Sequence, residues 1–365
     1  MPKKLTISLL IGGLVSILTL YLAFRNVPAD QLISYLGTID YGWILPAAMV
    51  GVLTFVIRAL RWKIILKEIC EISFWHSFHF TMIGFMMNCV LPGRVGELAR
   101  PVLLKQRKDL PVTTGLSTIA AERILDLIIL IGLFTLVFST VAGRIGSEGS
   151  YFGVQLDGST LESISTGMIR LSLALMIFIA LLTINRSRNS IKRMIDTIGR
   201  WFNRMLPGLK RYTDRLFNLL QSVIDNFAVG LSLVRNPLQV IYCAGLTVAI
   251  WALTAVSYWI VALGCPGITL SLWELTTVMV IICFVIALPS VPGFWGLWEA
   301  GGVFALSIFG IAEKDALGFT LVHHACQIFP VIIIGIASAL ITSVNILRLP
   351  HTGTAAEPQP RLEGE

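Results

Sequence analysis

The chain has 365 residues, 55% of them hydrophobic and only 13% charged, with a mean hydropathy of +0.80. Soluble globular chains carry about 25% charged residues, so roughly half the usual charge is missing. This excludes a soluble enzyme, a disordered chain and a disulfide scaffold, and the formal charge of +7 clusters between apolar runs, which argues against nucleic acid.

Lys3 and Lys4 precede an apolar run that reaches Phe24. It is longer than a secretory leader and lacks a small-residue cleavage site, so it reads as a first anchor with its basic end inside. Further apolar runs follow at 43–60, 78–91, 119–141, 168–184, 238–263, 275–288, 294–311 and 316–344. Residues 25–42 hold one basic residue, Arg25, and read as outside. Residues 58–71, with Arg58, Arg61, Lys63 and Lys67, and residues 92–111, with Arg94, Arg100, Lys105, Arg107 and Lys108, read as inside. Both flanks of 78–91 are then cytoplasmic. Its 14 residues give about 21 Å of helix against a hydrocarbon core of about 30 Å, so it enters and turns back.

Residues 142–167 hold Arg144 as their one basic residue and read as outside, whereas 185–236 hold ten Lys/Arg against three Asp and read as cytoplasmic. Within that insert, Ile191, Met194, Ile195, Ile198, Trp201, Phe202 and Met205 recur at helical spacing. Leu209, Tyr212, Leu216, Leu219, Val223 and Phe227 do the same after Pro207-Gly208. Two amphipathic helices on the inner membrane surface follow, as a structural linker or a lipid sensor. Residues 264–274 have no Lys or Arg and lie outside; 275–311 is then a re-entrant hairpin or two short spans. The last run returns to a disordered tail at 350–365. The expected fold is an all-α polytopic protein of the cell inner membrane with both termini cytoplasmic. It has about six full spans plus two short broken elements related as an inverted repeat, about eight segments in all. Residues 1–349 form one membrane domain with the 185–236 insert between its halves.

Two segments carry Pro-Gly-x-x-Gly followed by Glu: Pro92, Gly93, Gly96 and Glu97, and, after Pro289, Pro292, Gly293, Gly296 and Glu299. Proline and glycine interrupt a helix and free backbone groups, which at membrane depth must face protein or a wet cavity. They are loop punctuation or the two halves of a substrate site. Glu122, Arg123 and Asp126 share one helix face, as a packing pair or as part of a site in which Arg94, Arg100 and Arg123 hold a lipid phosphate, oriented by Glu97 and Glu122. Asn88 opens the first broken motif. His323, His324 and Gln327 sit together in the last run, as packing or as a proton or phosphate contact. His76 and His79 form a weak H-x-x-H with no acidic partner, and no metal site or cofactor is expected. The six cysteines are scattered without C-x-x-C and read as small buried apolar groups.

The strings N-x-x-L-P-x-R-x-G-E-x-x-R at 88–100, E-R-x-x-D at 122–126 and P-x-x-P-G-x-x-G-x-x-E at 289–299 resemble the flippase-like, or lysylphosphatidylglycerol synthase transmembrane-region, family. The resemblance implies a bundle of roughly eight segments associated with lipid movement. Family synthases carry a large soluble domain after the membrane part; none is expected here, so synthetic activity is not part of the expectation. The expected function is non-enzymatic translocation of an anionic or polyprenyl-phosphate-linked lipid. Its head group is held by arginines between the broken elements, with Glu97 and Glu299 as proton or cation carriers. No Walker A motif is present, so movement is passive or ion-coupled. The alternatives are a membrane glycosyltransferase using a polyprenyl-phosphate sugar donor, with Asp30 and Asp40 as candidate acids, or an accessory subunit partnering a lipid-modifying enzyme.

Overall fold

The computed structural model describes residues 3–91, 94–141, 150–151, 154–155, 166–167, 170, 185–205, 213–214, 217, 221, 236–288 and 291–344. Among these the regular secondary structure is helical apart from one short antiparallel pair, Ser150–Tyr151 with Val154–Gln155. Eleven α-helices follow in order: α1 Lys3–Phe24, α2 Ala29–Leu36, α3 Ile44–Leu66, α4 Phe74–Val90, α5 Gly96–Lys108, α6 Val112–Val141, α7 Asn185–Met205, α8 Pro237–Gly264, α9 Leu272–Val285, α10 Leu297–Ser307 and α11 Glu313–Ile341.

Local chemistry sets many of the boundaries. Asp40 accepts a hydrogen bond from the Gly42 N–H at 3.0 Å, closing the turn that leads into α3. Ser73 caps α4, Asn236 caps α8 ahead of Pro237, and Ser271 with Glu274 forms a reciprocal capping box on α9. Asp109, left-handed at φ 52°, ends α5, and α6 starts after Pro111.

Three helical segments are long and apolar enough to cross a membrane: Tyr41–Leu66, Pro237–Gly264 and Glu313–Ile341. The distribution of side chains is that of a protein solvated by lipid. Leu340 is 76% exposed and Leu45, Met49, Ile241 and Ile333 are similarly open, whereas Arg61, Ser77, Thr118, Thr247, Ser257 and Glu299 are fully buried. In water such a surface would drive association; in hydrocarbon it is the stable arrangement. α7 likewise leaves Met194, Ile198, Trp201, Phe202 and Met205 exposed along one face, as its spacing predicted. Apart from residue 170, the apolar run at 168–184 lies outside the described residues, as do the tail and most of the second amphipathic stretch.

Elements from the two ends of the chain interleave. α3 packs along α8, α4 against α11 and α5, α9 against α6 and α10, and α1 against α10. Both halves run long helix, short helix, break, short helix, long helix: α3 to α6, then α8 to α11.

Two sequence-based assignments need correction. Arg58 and Arg61 are not loop charges; both lie inside α3, with Arg61 fully buried and Arg58 only 11% exposed at its side chain. Arg100 is not a loop charge either, being buried in α5. The counting rule sees a basic residue near the end of an apolar run and assigns it to water, but buried carboxylates elsewhere in the chain hold these three inside.

Candidate functional site

The first break follows α4. Leu91 turns extended, Arg94 takes φ 55°, and α5 starts at Gly96 and lies back against α4. The approach is close enough that a Cβ on Gly96 would overlap the Gly84 carbonyl oxygen, and Gly84 in turn leaves room for the Arg100 stem. Gly96→Ala is therefore expected to destabilise the protein by about 1–3 kcal/mol, the usual range for overpacking. A lowered thermal midpoint in detergent checks this, and an unchanged midpoint would contradict the packing.

The second break centres on a tight turn, Pro292–Phe294, with Gly293 at φ 71° and Gly296 at φ 92°. α1 supports it: the Val291 N–H donates to Ser16 Oγ at 3.3 Å. Glu299 accepts from the Gly296 N–H at 2.7 Å and faces His324 Nδ1 at 2.6 Å, both side chains fully buried. His324 Nε2 lies 2.9 Å from the Gly293 carbonyl oxygen. A carbonyl only accepts, so Nε2 carries a proton, and one further proton lies between Nδ1 and the carboxylate. As a unit the pair is neutral. Trp298 stacks on His324 with ring centroids 4.5 Å apart at 4°.

The two breaks touch. Arg94 Nη2 donates to the Ile286 carbonyl at 2.5 Å, and its guanidinium lies 5.5 Å from the Phe294 ring centroid. Gly293 comes up against the Cys89 carbonyl.

Beside this junction lies a buried ion network. Arg61 binds Asp126 through two nitrogens, at 2.6 and 3.3 Å, and donates to Thr247 Oγ1 at 2.7 Å. Arg61 Nε also stands 3.6 Å from Glu122, whose other oxygen accepts from Arg100 Nη1 at 2.7 Å. Arg58 and Arg123 reach Asp126 more loosely, at 3.6 and 3.5 Å. The expected Arg123–Asp126 pair is thus present, but Arg61 is the closer partner. Arg100 is only 4% exposed and rests on the Trp62 ring, with Nε and Nη2 unpartnered. Arg123 Nε and Asn88 Oδ1 are likewise buried without partners.

These groups wall a cavity of about 420 Å³. Of the residues singled out from sequence, Asn88, Arg94, Gly96, Glu97, Arg100, Arg123, Asp126 and His323 line it. Glu122, Glu299 and His324 stand one layer behind, Glu122 through Arg100 and the other two through Trp298. Pro292, Gly293 and Gly296 shape the second break; Pro92, Gly93 and Pro289 lie outside the described residues. Away from the charges the wall is apolar, with Phe55, Phe85, Leu130, Met279, Phe284 and Val331. His323 packs on Tyr258 at 3.6 Å between ring centroids, and Gln327, beside it, donates to Ser257. His76 and His79 do not converge, since His76 bonds Ser73 and His79 bonds Ser338.

Sequence reading missed Arg58, Arg61, Trp62 and Thr247. The signal was present for the two arginines: Trp62, Ile64, Ile65 and Leu66 continue the apolar character beyond them, so the helix does not end there.

A helical membrane protein with a buried arginine–carboxylate network opening on an amphipathic cavity is the class that fold and site define. Residues 9–335 match the family described as lysylphosphatidylglycerol synthase TM region, and the chain belongs to that family. The match is to a membrane region, not to a soluble catalytic domain. The chain is 26% identical over 273 residues to a glycosyltransferase, AglD, of Haloferax volcanii, covering 70% of this chain and 41% of that protein. It is also 26% identical over 135 residues to a UPF0104 membrane protein of Methanocaldococcus jannaschii, covering 36% of this chain and 40% of that one. The chain thus matches about two fifths of the length of each relative.

Proposed function

We propose that the chain is a translocase for a phosphate-bearing membrane lipid, anionic or polyprenyl-phosphate-linked. One observation carries this reading: a single cavity joins a cluster of guanidiniums, some with buried unpartnered nitrogens, to an apolar wall. Arginine's planar fork binds phosphate oxygens in pairs, and the apolar wall accommodates the start of a hydrocarbon chain. Arg94, Arg100 and Arg123 hold the head group, with Asn88 as a neutral contact, while Glu122 and Asp126 fix the arginines. The two broken elements are re-entrant and related as an inverted repeat in the inner membrane, both termini being cytoplasmic. The parallel between the halves supports this. In each, the second short helix is tied to the following long helix by a charged or ionisable pair: Arg100 to Glu122, and Glu299 to His324.

Reconstitution into liposomes tests the proposal. A labelled short-chain lipid phosphate in one leaflet becomes accessible to an impermeant reagent in the other faster with protein than without. Equal rates with and without protein overturn it. Coupling adds a second expectation. Glu299→Gln keeps both hydrogen bonds, since the amide oxygen accepts from Gly296 and the amide NH₂ donates to His324 Nδ1. The variant therefore stays folded, with an unchanged thermal midpoint, while proton-driven flux is lost. Wild-type flux in that variant assigns Glu299 to holding the turn alone.

The name of the Haloferax relative favours a second reading, sugar transfer from a polyprenyl-phosphate donor. Of its two candidate acids, Asp40 is engaged as a cap by Gly42. Asp30 lines a separate recess with Lys314 and Asp315. Full sugar transfer by the Asp30→Asn, Asp40→Asn double variant removes this reading.

A further inference from the structure

The charge balance of the cavity defines its ligand more narrowly than the presence of arginines does. Five guanidiniums belong to the site, those of Arg58, Arg61, Arg94, Arg100 and Arg123. Three carboxylates answer them, Glu97, Glu122 and Asp126, leaving two positive charges in excess among the described residues. Arg61 is engaged by Asp126 and Thr247 through hydrogen bonds and by Glu122 at 3.6 Å, with only its Nε lacking a hydrogen-bond partner. The Glu299–His324 pair is neutral as a unit, and His323 is surrounded by rings with no carboxylate beside it. No further anion among the lining residues offsets the excess.

The free donors are in the same place. Arg100 Nε and Nη2 and Arg123 Nε are buried with no acceptor, and Arg58 is held between the rings of Phe85 and Trp251 at 5.6 and 5.5 Å. A buried unpaired cation is unfavourable until an anion reaches it. Arg94 is exposed and the Arg123 side chain is 42% exposed, so the buried unfilled donors of the cavity wall are Nε and Nη2 of Arg100 and Nε of Arg123. A cavity with two positive charges in excess and these donors in its wall is matched by a ligand that brings two negative charges on adjacent oxygens.

We propose that the cavity selects a dianionic head group, a phosphate monoester or diphosphate, over the singly charged phosphodiester of an ordinary phospholipid. This rests on the translocase reading and narrows its substrate class. A monoester phosphate carries about −1.5 to −2 charge at neutral pH and three terminal oxygens. A phosphodiester carries one charge and two terminal oxygens, and leaves one guanidinium unmatched. At about 8 Å and an effective dielectric of about 20, one unmatched unit charge shifts binding on the order of thirtyfold.

The test uses the purified full chain in neutral detergent and three probes: dodecyl monophosphate, dodecyl methyl phosphate and inorganic phosphate. The two lipids share a tail and differ by one charge. Titration by calorimetry at neutral pH is expected to show the monophosphate bound on the order of thirtyfold more tightly than the diester. Equal affinities overturn the dianion inference and leave the translocase reading standing. Inorganic phosphate bound as tightly as dodecyl monophosphate does the reverse: it keeps the charge preference and removes the lipid. Arg58→Gln lowers the excess to one and is expected to bring the two dodecyl affinities within about threefold of each other. A variant that kept the full wild-type preference would show that the excess charge does not set it.

Discussion

Asp126→Ala is expected to destabilise the folded protein by about 3–5 kcal/mol, the range for breaking a buried ion pair by removing one partner. Asp126 is the nearest counter-ion of Arg61 and also faces Arg58 and Arg123, so its loss leaves Arg61 with Glu122 at 3.6 Å and takes from Arg58 and Arg123 the carboxylate each pairs with among the described residues. Asp126→Asn keeps the shape and hydrogen-bonding oxygen but not the charge, and falls between wild type and alanine. Joint replacement of Arg61 by Met and Asp126 by Leu removes both desolvation penalties and recovers much of the loss. Thermal unfolding of wild type, Arg61→Met, Asp126→Leu and the double variant in one detergent gives the coupling. Simple additivity of the two changes would show that the pair does not act as one unit.

Arg100→Gln is expected to leave a folded protein whose lipid flux falls by a factor on the order of a hundred. Arg100 is the most committed cation of the cavity: one nitrogen is fixed by Glu122, the stem passes over Gly84, the guanidinium rests on Trp62, and two nitrogens remain free. Hydrogen bonds to a charged group are worth about 1.5–3 kcal/mol each, so losing both free donors removes most of the head-group affinity. Glutamine retains one hydrogen bond to Glu122 and does not leave that carboxylate wholly bare. Arg100→Lys restores the charge without the planar fork and recovers only part of the flux. Unimpaired transport by Arg100→Gln would place the head group elsewhere.

Much of the fold was legible without coordinates. Charge depletion and long apolar runs identified a membrane bundle, because lipid as solvent imposes composition directly on the chain. The two Pro-Gly interruptions were legible as breaks because those residues act through their own backbone. The amphipathic spacing of α7 was visible for the same reason: a helix 3.6 residues per turn writes its faces into the sequence. Arg123 and Asp126 were found because ionisable groups in an apolar run stand out, and Arg94 and Arg100 because they belong to the first Pro-Gly motif.

What remained hidden depends on partners far apart in sequence. Arg58 and Arg61 looked like ordinary basic loop residues until Asp126 and Thr247, 65 and 186 residues away, were seen to enclose Arg61. Glu299 looked like a free carboxylate until His324 and the Gly296 N–H took both of its oxygens.

The sequence by itself determined that this is a helical membrane chain with two interrupted elements and ionisable residues inside or beside its apolar runs, since hydropathy and backbone restriction are local properties. Only the tertiary structure decided which charges cancel, that the two interruptions meet, and that an excess of guanidinium faces one cavity. Charge neutralisation is a property of distances between side chains, and no single segment of the chain contains them.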